Sequence, residues 1–247
     1  MGVALNSHTP GATRKRRRLD PHLVTFLQPG TFAADRYQLV RHALELKHEG
    51  GARIFAVTSP SGGEGKTTTV LNLGGALAKD SATQVLLVEA DLRRPCMLER
   101  LGLGAGAVGG LLQTLTRSRV PPSEAIIHAL GSNLWLAPAG GSTAAPYELL
   151  RSPRFWDFLT ATRERFDYVL IDTPPLLICP EFQVIERWCD ATLLVVAANR
   201  TPRKQVSEAV AQLDRAKALG IVLNADANAV DSYYRGSSRS TRRSLAR

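Results

Sequence analysis

The chain has 247 residues, of which 44% are hydrophobic and 21% charged, and its formal net charge is +9 at pH 7. This length and composition suit one globular α/β domain, and no apolar stretch approaches the roughly 18 residues of a membrane span, which argues against a membrane-spanning protein. Residues 1–20 and residues 229–247 each carry a net charge of +4, so the body of the chain is nearly neutral and no nucleic-acid partner is expected.

Two basic segments are predicted to flank one folded domain. Arg14–Arg18 form a cationic run with no apolar segment behind it, which argues against a signal peptide. Residues 1–30 and 229–247 are rich in arginine and in small or polar residues, so we predict a disordered N-terminal segment and a flexible tail. The folded domain is predicted over residues 31–228. The three cysteines lack metal-ligand or disulfide spacing, which indicates free thiols in a cytoplasmic protein.

Within the domain, short apolar runs alternate with longer amphipathic ones. Most of the apolar runs are rich in Val, Leu and Ile, as in parallel strands that helices cover on both faces. The alternation predicts a single doubly wound, mostly parallel sheet flanked by helices, with its ligand beyond the carboxyl ends of the strands. The predicted elements, in chain order, are helix Ala33–Glu49, strand Arg53–Thr58, helix Lys66–Lys79, strand Gln84–Ala90, strand Leu134–Ala137, helix Pro153–Phe166, strand Tyr168–Asp172, strand Ala191–Ala197, helix Arg203–Ala218 and strand Gly220–Asn224.

The turn after the first predicted strand has the composition of a phosphate-binding loop. Its glycines let the backbone approach a ligand closely, and its N–H groups can bind phosphate oxygens together with the following helix N-terminus. The Lys66 ammonium can then reach the β- and γ-phosphates, and the Thr67 hydroxyl can bind Mg²⁺. Pro60 stands where the usual motif has its first glycine, and a functionless Gly-rich turn is the alternative. The predicted nucleotide-binding residues here are Gly62, Gly63, Glu64, Gly65, Lys66, Thr67 and Thr68.

Two later strands end in acidic residues. Glu89 and Asp91 are two residues apart, so their side chains point the same way, and Asp172 closes another buried strand. A carboxylate at such a position can hold Mg²⁺ directly or through water. A helix cap or a turn residue is the alternative for any one of these acids, but three acids behind a phosphate loop favour a metal site.

From about Thr31 to Tyr234, the sequence resembles the CpsD/CapB family, the bacterial tyrosine kinases of capsule and exopolysaccharide biosynthesis within the P-loop NTPases. The resemblance rests on three motifs. They are the loop Ala56-Val57-Thr58-Ser59-Pro60-Ser61-Gly62-Gly63-Glu64-Gly65-Lys66-Thr67, the segment Glu89-Ala90-Asp91-Leu92-Arg93-Arg94-Pro95, and the segment Asp172-Thr173-Pro174-Pro175. The resemblance implies an enzyme that phosphorylates tyrosines with ATP and Mg²⁺.

The resemblance also implies a role for each site residue. Glu89 would help to deprotonate the acceptor tyrosine or support the metal, and Asn224 matches the family's adenine-side residue, with a strand-end turn residue as the alternative. Tyr233 and Tyr234 are the predicted phosphate acceptors, because the other tyrosines fall on predicted strands or helices. The predicted catalytic residues are Lys66, Glu89, Asp91 and Asp172, and the predicted Mg²⁺ ligands are Thr67, Asp91 and Asp172.

Three departures from the family pattern affect these predictions. Glu89 replaces an aspartate, and only Tyr233 and Tyr234 remain of a tyrosine-rich tail. The helix before the phosphate loop reads Asp35-x-x-Gln38-x-x-Arg41, where the family has Glu-x-x-Arg-x-x-Arg for ring assembly. Loss of the middle guanidinium removes a bidentate donor, which leaves the oligomeric state open.

Three functions are therefore weighed. The first is a cytoplasmic protein-tyrosine autokinase that regulates polysaccharide synthesis and export. Its implied partners are a membrane-embedded polysaccharide co-polymerase or activator, which would hold it at the inner face of the cell membrane, and further copies of itself. The second is a nucleotide-binding regulatory adaptor with little kinase activity. The third is a partition ATPase of the Min/Par type, a class that carries a lysine where this chain has Ser61.

Overall fold

The computed structural model describes residues 18–104, 109–117, 121–130 and 133–226. The predicted acceptors Tyr233 and Tyr234, and the basic run except Arg18, lie outside the described residues. The helices are α1 (Val24–Leu27), α2 (Phe32–Glu49), α3 (Lys66–Leu77), α4 (Met97–Arg100), α5 (Leu111–Thr116), α6 (Pro146–Arg151), α7 (Pro153–Arg165), α8 (Glu181–Glu186) and α9 (Arg203–Gln212), with a 3₁₀ turn at Pro122–Ala125. The strands are β1 (Ile54–Thr58), β2 (Val85–Glu89), β3 (Ile127–Leu130), β4 (Leu134–Ala137), β5 (Tyr168–Asp172), β6 (Ala191–Ala197) and β7 (Ala218–Asn224).

The strands form one sheet in the order β3-β4-β2-β5-β1-β6-β7. All neighbouring pairs are parallel except β3 and β4, which confirms the predicted fold class. The strand that leads into the phosphate loop, β1, lies between β5 and β6. In the register, Asp172 is paired with Val57 on one side and with Glu89 on the other. The sheet therefore brings the acidic strand ends beside the phosphate loop.

Two apolar layers hold the sheet between helices. Every residue of β1, β2, β5 and β6 is buried, as expected for strands covered on both faces. Phe55 and Leu71 belong to the layer under α2 and α3, whereas Phe155 and Phe158 belong to the layer under α7 and α8. Truncation of such a phenylalanine to alanine costs about 3–5 kcal/mol. The layers thus fix the strand ends that carry the site.

The packed structure begins earlier than the predicted boundary at residue 31. Leu23 is fully buried, and the backbone N–H of Thr25 donates to Asn72 Oδ1 at 3.0 Å. Asn72 Nδ2 in turn donates to the carbonyl of His22 at 2.9 Å. Residues 22–26 therefore pack on α3, and Asp20 binds Arg100 of α4, which differs from the predicted disordered segment over 1–30. The sequence alone does not indicate this packing, because the partners Asn72 and Arg100 are distant in the chain.

Three other elements differ from the predicted ones. The helix predicted over Arg203–Ala218 ends at Gln212, because Asp214 starts a turn and accepts the N–H of Ala216 at 3.0 Å. Strand β7 therefore begins at Ala218, two residues earlier than predicted. The edge strand β3 was not predicted; it is short and pairs antiparallel with β4. Among the described residues, no helix has the length and apolar character needed to cross a bilayer.

Candidate active site

The phosphate loop runs from the end of β1 to the start of α3, as predicted. Gly63 and Gly65 have φ angles of +79° and +93°, which side-chain-bearing residues rarely adopt. A Cβ atom on Gly65 would also lie 2.0 Å from Asn224 Nδ2. Position 65 therefore requires glycine both for its backbone angle and for the close approach of Asn224.

Glu64 ties the loop to the end of β6 through its buried side chain and to the end of β7 through its backbone carbonyl. Its Oε1 accepts the Ser61 hydroxyl at 2.7 Å. Its Oε2 accepts the Ala197 N–H at 2.5 Å and the Thr201 hydroxyl. The Glu64 carbonyl accepts Asn224 Nδ2 at 2.9 Å. Glu64 thus points away from the loop's concave side and shapes the loop, whereas the prediction placed it among the nucleotide-binding residues.

A cleft of about 1160 Å³ opens over this loop. Its lining includes Arg200, a cationic residue that the sequence did not single out, whose guanidinium donates to the Gly63 carbonyl. Glu64 and Glu89 are not among its lining residues. The predicted site residues that do line it are Gly62, Gly63, Gly65, Lys66, Thr67, Thr68, Asp91 and Asn224. The structure therefore gathers the phosphate loop, one strand-end acid and the β7 end around one space.

Thr67 and Asp172 meet beneath the cleft. The Thr67 hydroxyl donates to Asp172 Oδ2 at 2.6 Å. The second carboxylate oxygen, Oδ1, is buried and has no hydrogen-bond partner among the described residues. Burial raises the pKa of Asp172 to about 7, although the positive charge of Lys66 and the Thr67 hydrogen bond oppose this rise. An orphaned buried oxygen of this kind is unfavourable unless a further group binds it.

A divalent cation fits this arrangement. Mg²⁺ prefers oxygen ligands, keeps several waters and takes part of its coordination from substrate phosphates. Thr67 Oγ1, the orphaned Asp172 Oδ1 and the Asp91 carboxylate supply hydroxyl and carboxylate oxygens of this type. Within the described part of the chain, no cluster of three or more His, Cys, Asp or Glu residues could hold a metal on its own. A cation here would take its remaining ligands from water and from the phosphates of a bound nucleotide.

The Glu89 carboxylate binds backbone N–H groups, which the sequence did not predict. Its side chain is 2% exposed, and its Oε1 accepts the N–H groups of Cys96 and Met97 while its Oε2 accepts the N–H of Ala139 at 3.0 Å. Burial raises its pKa, and these backbone hydrogen bonds oppose the rise. The carboxylate thus fixes the start of α4 and the segment after β4. These contacts indicate a supporting role, and the contact of Glu89 with the tyrosine or the metal stays a prediction.

The loop after β2 carries Asp91 into the cleft. Asp91 Oδ1 accepts the backbone N–H groups of Arg93 and Arg94 at 3.3 and 3.1 Å, which holds the loop in a tight turn. The Arg93 guanidinium binds Glu181 Oε1 through Nε at 3.0 Å and Nη2 at 2.5 Å. Glu181 is fully buried. The motif signalled the two arginines, but nothing in the sequence signalled Glu181 as the distant partner of Arg93.

The fold and the site define a P-loop nucleotide-binding protein. A family described as an AAA domain matches residues 52–186. Tyrosine-protein kinase CpsD of Streptococcus pneumoniae serotype 4 is 32% identical over 174 residues, which cover 70% of this chain and 75% of that protein. Tyrosine-protein kinase YwqD of Bacillus subtilis is 28% identical over 218 residues, which cover 86% of this chain and 90% of that protein.

A solved structure gives the same result. The kinase domain of Escherichia coli tyrosine kinase ETK matches with a TM-score of 0.78 at 25% identity, over 89% of this chain and 85% of that chain. The chain therefore belongs to the bacterial tyrosine-protein kinase family, a family of enzymes. This confirms the resemblance that the three motifs predicted.

Proposed function

We propose that this protein is a cytoplasmic protein-tyrosine autokinase that uses Mg-ATP. The observation that carries the proposal is the contact of the Thr67 hydroxyl with Asp172 at 2.6 Å, beneath a phosphate loop and beside an orphaned carboxylate oxygen. A P-loop protein that uses a nucleotide with Mg²⁺ needs this pairing of hydroxyl and carboxylate. Membership of the kinase family supports transfer to tyrosine.

The chain's own residues then divide the work of transfer. The loop N–H groups and Lys66 would bind the phosphates, Thr67 and Asp172 would hold Mg²⁺ directly and Asp91 through water, and the ion would neutralise charge on the phosphates when bound. The tyrosine oxygen attacks the γ-phosphorus, the bond from that phosphorus to the bridging oxygen breaks, and ADP leaves. The tyrosine proton passes to Asp91, the acid that lines the cleft. Glu89 stabilises this geometry by holding the start of α4 and the segment after β4.

We propose Tyr233 and Tyr234 as the acceptors, reached between copies of the chain in a homo-oligomer. In the family-like helix motif, Arg41 donates to Glu45 Oε1 at 2.6 Å and to the Ala76 carbonyl at 2.9 Å. Because Arg41 is engaged within its own chain and Gln38 replaces an arginine, assembly here depends on contacts other than those two guanidinium groups.

The wider role that we propose is regulation of polysaccharide synthesis and export with a membrane-embedded co-polymerase or activator. The basic run Arg14–Arg18 supports attachment at the anionic inner leaflet, where each basic residue contributes about 1 kcal/mol. Since residues 22–26 pack on α3, attachment of the basic run to the membrane would hold the kinase domain close to its partner.

The test is incubation of the purified chain with Mg-ATP, with and without a candidate membrane activator. ADP release together with phosphotyrosine supports the kinase, and Lys66→Met should abolish both. Nucleotide binding without phosphotyrosine, even with the activator, would favour the regulatory adaptor. Family membership and Ser61 in place of the signature lysine both weigh against the partition ATPase.

A further inference from the structure

The cleft has two distinguishable ends. Thr67, Asp172 and Asp91 mark the end over β2 and β5, whereas Asn224 marks the end over β6 and β7, on the other side of β1. We call the end marked by Thr67, Asp172 and Asp91 the carboxylate end. On the proposed function, the terminal phosphate and its metal would lie there. The nucleoside must then leave over β7, so the hydroxyl that accepts the phosphate enters over β2 and β5.

The lining of the carboxylate end is unusual for a polar site. Pro175, Ile178 and Cys179, from the segment after β5, line it together with Arg93 and Arg94. Ile178 is 64% exposed, although it stands at the mouth of a cleft that binds charged groups. An apolar side chain at this position gives a flat group such as a phenol ring a surface to pack against.

The two arginines at this end differ in their availability. Arg93 is neutralised by its double hydrogen bond with the buried Glu181. Arg94 is exposed, and among the residues that the structure describes no acidic side chain forms an ion pair with it. Its backbone N–H donates to Asp91 Oδ1. The guanidinium of Arg94 therefore places a positive charge beside the entrance.

We propose that this end of the cleft is the acceptor site and that it selects tyrosines with acidic neighbours. The phenol ring packs on Ile178 and Pro175, with its hydroxyl toward Asp91, and a carboxylate close to the tyrosine pairs with Arg94. The inference rests on the proposed function and names its substrate class. In the chain's own tail, Asp231 stands two residues before Tyr233, whereas Arg235 follows Tyr234 and residues 229–247 carry a net charge of +4, so the inference favours Tyr233 over Tyr234 as the acceptor there.

Two synthetic peptides, each with a single tyrosine, test the inference. One is Glu-Asp-Ser-Tyr-Gly-Ser and the other is Lys-Lys-Ser-Tyr-Gly-Ser. The measurement is the ratio of kcat/KM for the two peptides with Mg-ATP, so that changes in overall activity cancel. We expect wild type to prefer the acidic peptide about fivefold, the range of one exposed ion pair. Arg94→Glu should invert the ratio. Arg215→Glu, which changes an exposed arginine just before the edge strand β7, should leave the ratio unchanged.

A second variant tests the apolar surface. Ile178→Ser should raise KM for both peptides and leave their ratio unchanged, with the melting temperature as a check of folding. Equal phosphorylation of both peptides by wild type, or an unchanged ratio in Arg94→Glu, would overturn this inference and leave the kinase assignment intact. Nucleotide binding with no phosphate on any tyrosine, in the peptides or in the chain, would overturn the proposed function and this inference with it.

Discussion

Glu64 and Thr201 are 137 residues apart in the chain, yet the Thr201 hydroxyl donates to the Glu64 carboxylate. The same carboxylate oxygen accepts the N–H of Ala197 at 2.5 Å. In the opposite direction, Arg200 donates to the Gly63 carbonyl. The phosphate loop and the turn after β6 therefore hold each other through side chains from both segments.

This mutual anchoring predicts that Glu64 matters for nucleotide affinity without touching the nucleotide. Glu64→Ala leaves the buried N–H of Ala197 unpaired, at a cost of about 1–3 kcal/mol, and frees the loop. We expect Mg-ADP to bind at least tenfold more weakly in calorimetry. Thr201→Val should show a smaller loss and Thr201→Ser nearly none. Glu208→Ala, which removes an exposed glutamate of α9, is the control. Wild-type affinity in Glu64→Ala would show that the loop holds its shape unaided.

Asp172→Asn should separate metal binding from folding. The amide keeps the size of the side chain and removes the charge that attracts Mg²⁺, so we expect phosphate transfer to fall roughly 100-fold, equivalent to about 3 kcal/mol. Raising the Mg²⁺ concentration should recover part of the loss. Asp167→Asn, which changes the residue just before the start of the same strand, should transfer phosphate at the wild-type rate. A rate close to wild type at low Mg²⁺ would remove Asp172 from the metal site.

Glu89 gives a prediction that distinguishes support from catalysis. If Glu89 acts by holding the N–H groups of Cys96, Met97 and Ala139, Glu89→Ala should lower the melting temperature and the activity together. Glu89→Asp, which withdraws the carboxylate by one methylene, should do the same to a smaller degree. Calorimetry and kinetics on the same preparations measure both effects. An unchanged melting temperature with abolished transfer in Glu89→Gln would instead identify a catalytic base.

The contacts of Asp190 predict how the free energy of unfolding depends on pH. Burial alone would raise its pKa, but hydrogen bonds from Arg163 at 2.6 Å and from the N–H groups of Ile54 and Arg53 hold the pKa below its ordinary value. Its contribution is therefore present above about pH 4 and is lost as the pH falls through the lowered pKa. Asp190→Asn should destabilise the protein by about 2 kcal/mol at pH 7, and the difference should shrink in acid. A difference that is constant with pH in denaturant titrations would contradict this.

The sequence could predict the parts of the site that lie on strand ends and in the loop. Continuous apolar runs located β1, β2 and β5. Parallel pairing of these strands then brings Asp91 and Asp172 to the same edge of the sheet, independently of the loop conformations. The partners of buried carboxylates were beyond reach, because they come from distant turns: Glu64 meets Thr201, Glu89 meets Ala139, and Arg93 meets Glu181. A carboxylate's position in a motif does not tell which donors the fold will place around it.

The most direct test of the central claim is the intact mass of the chain after incubation with Mg-ATP, followed by peptide mapping. The account predicts that wild type gains phosphate on Tyr233 or Tyr234, that Lys66→Met gains none, and that a Tyr233→Phe/Tyr234→Phe double variant loses most of the gain. The membrane activator is added in a parallel sample. No gain of phosphate in either sample, or an unchanged gain in the double variant, would contradict a tyrosine autokinase that uses this tail.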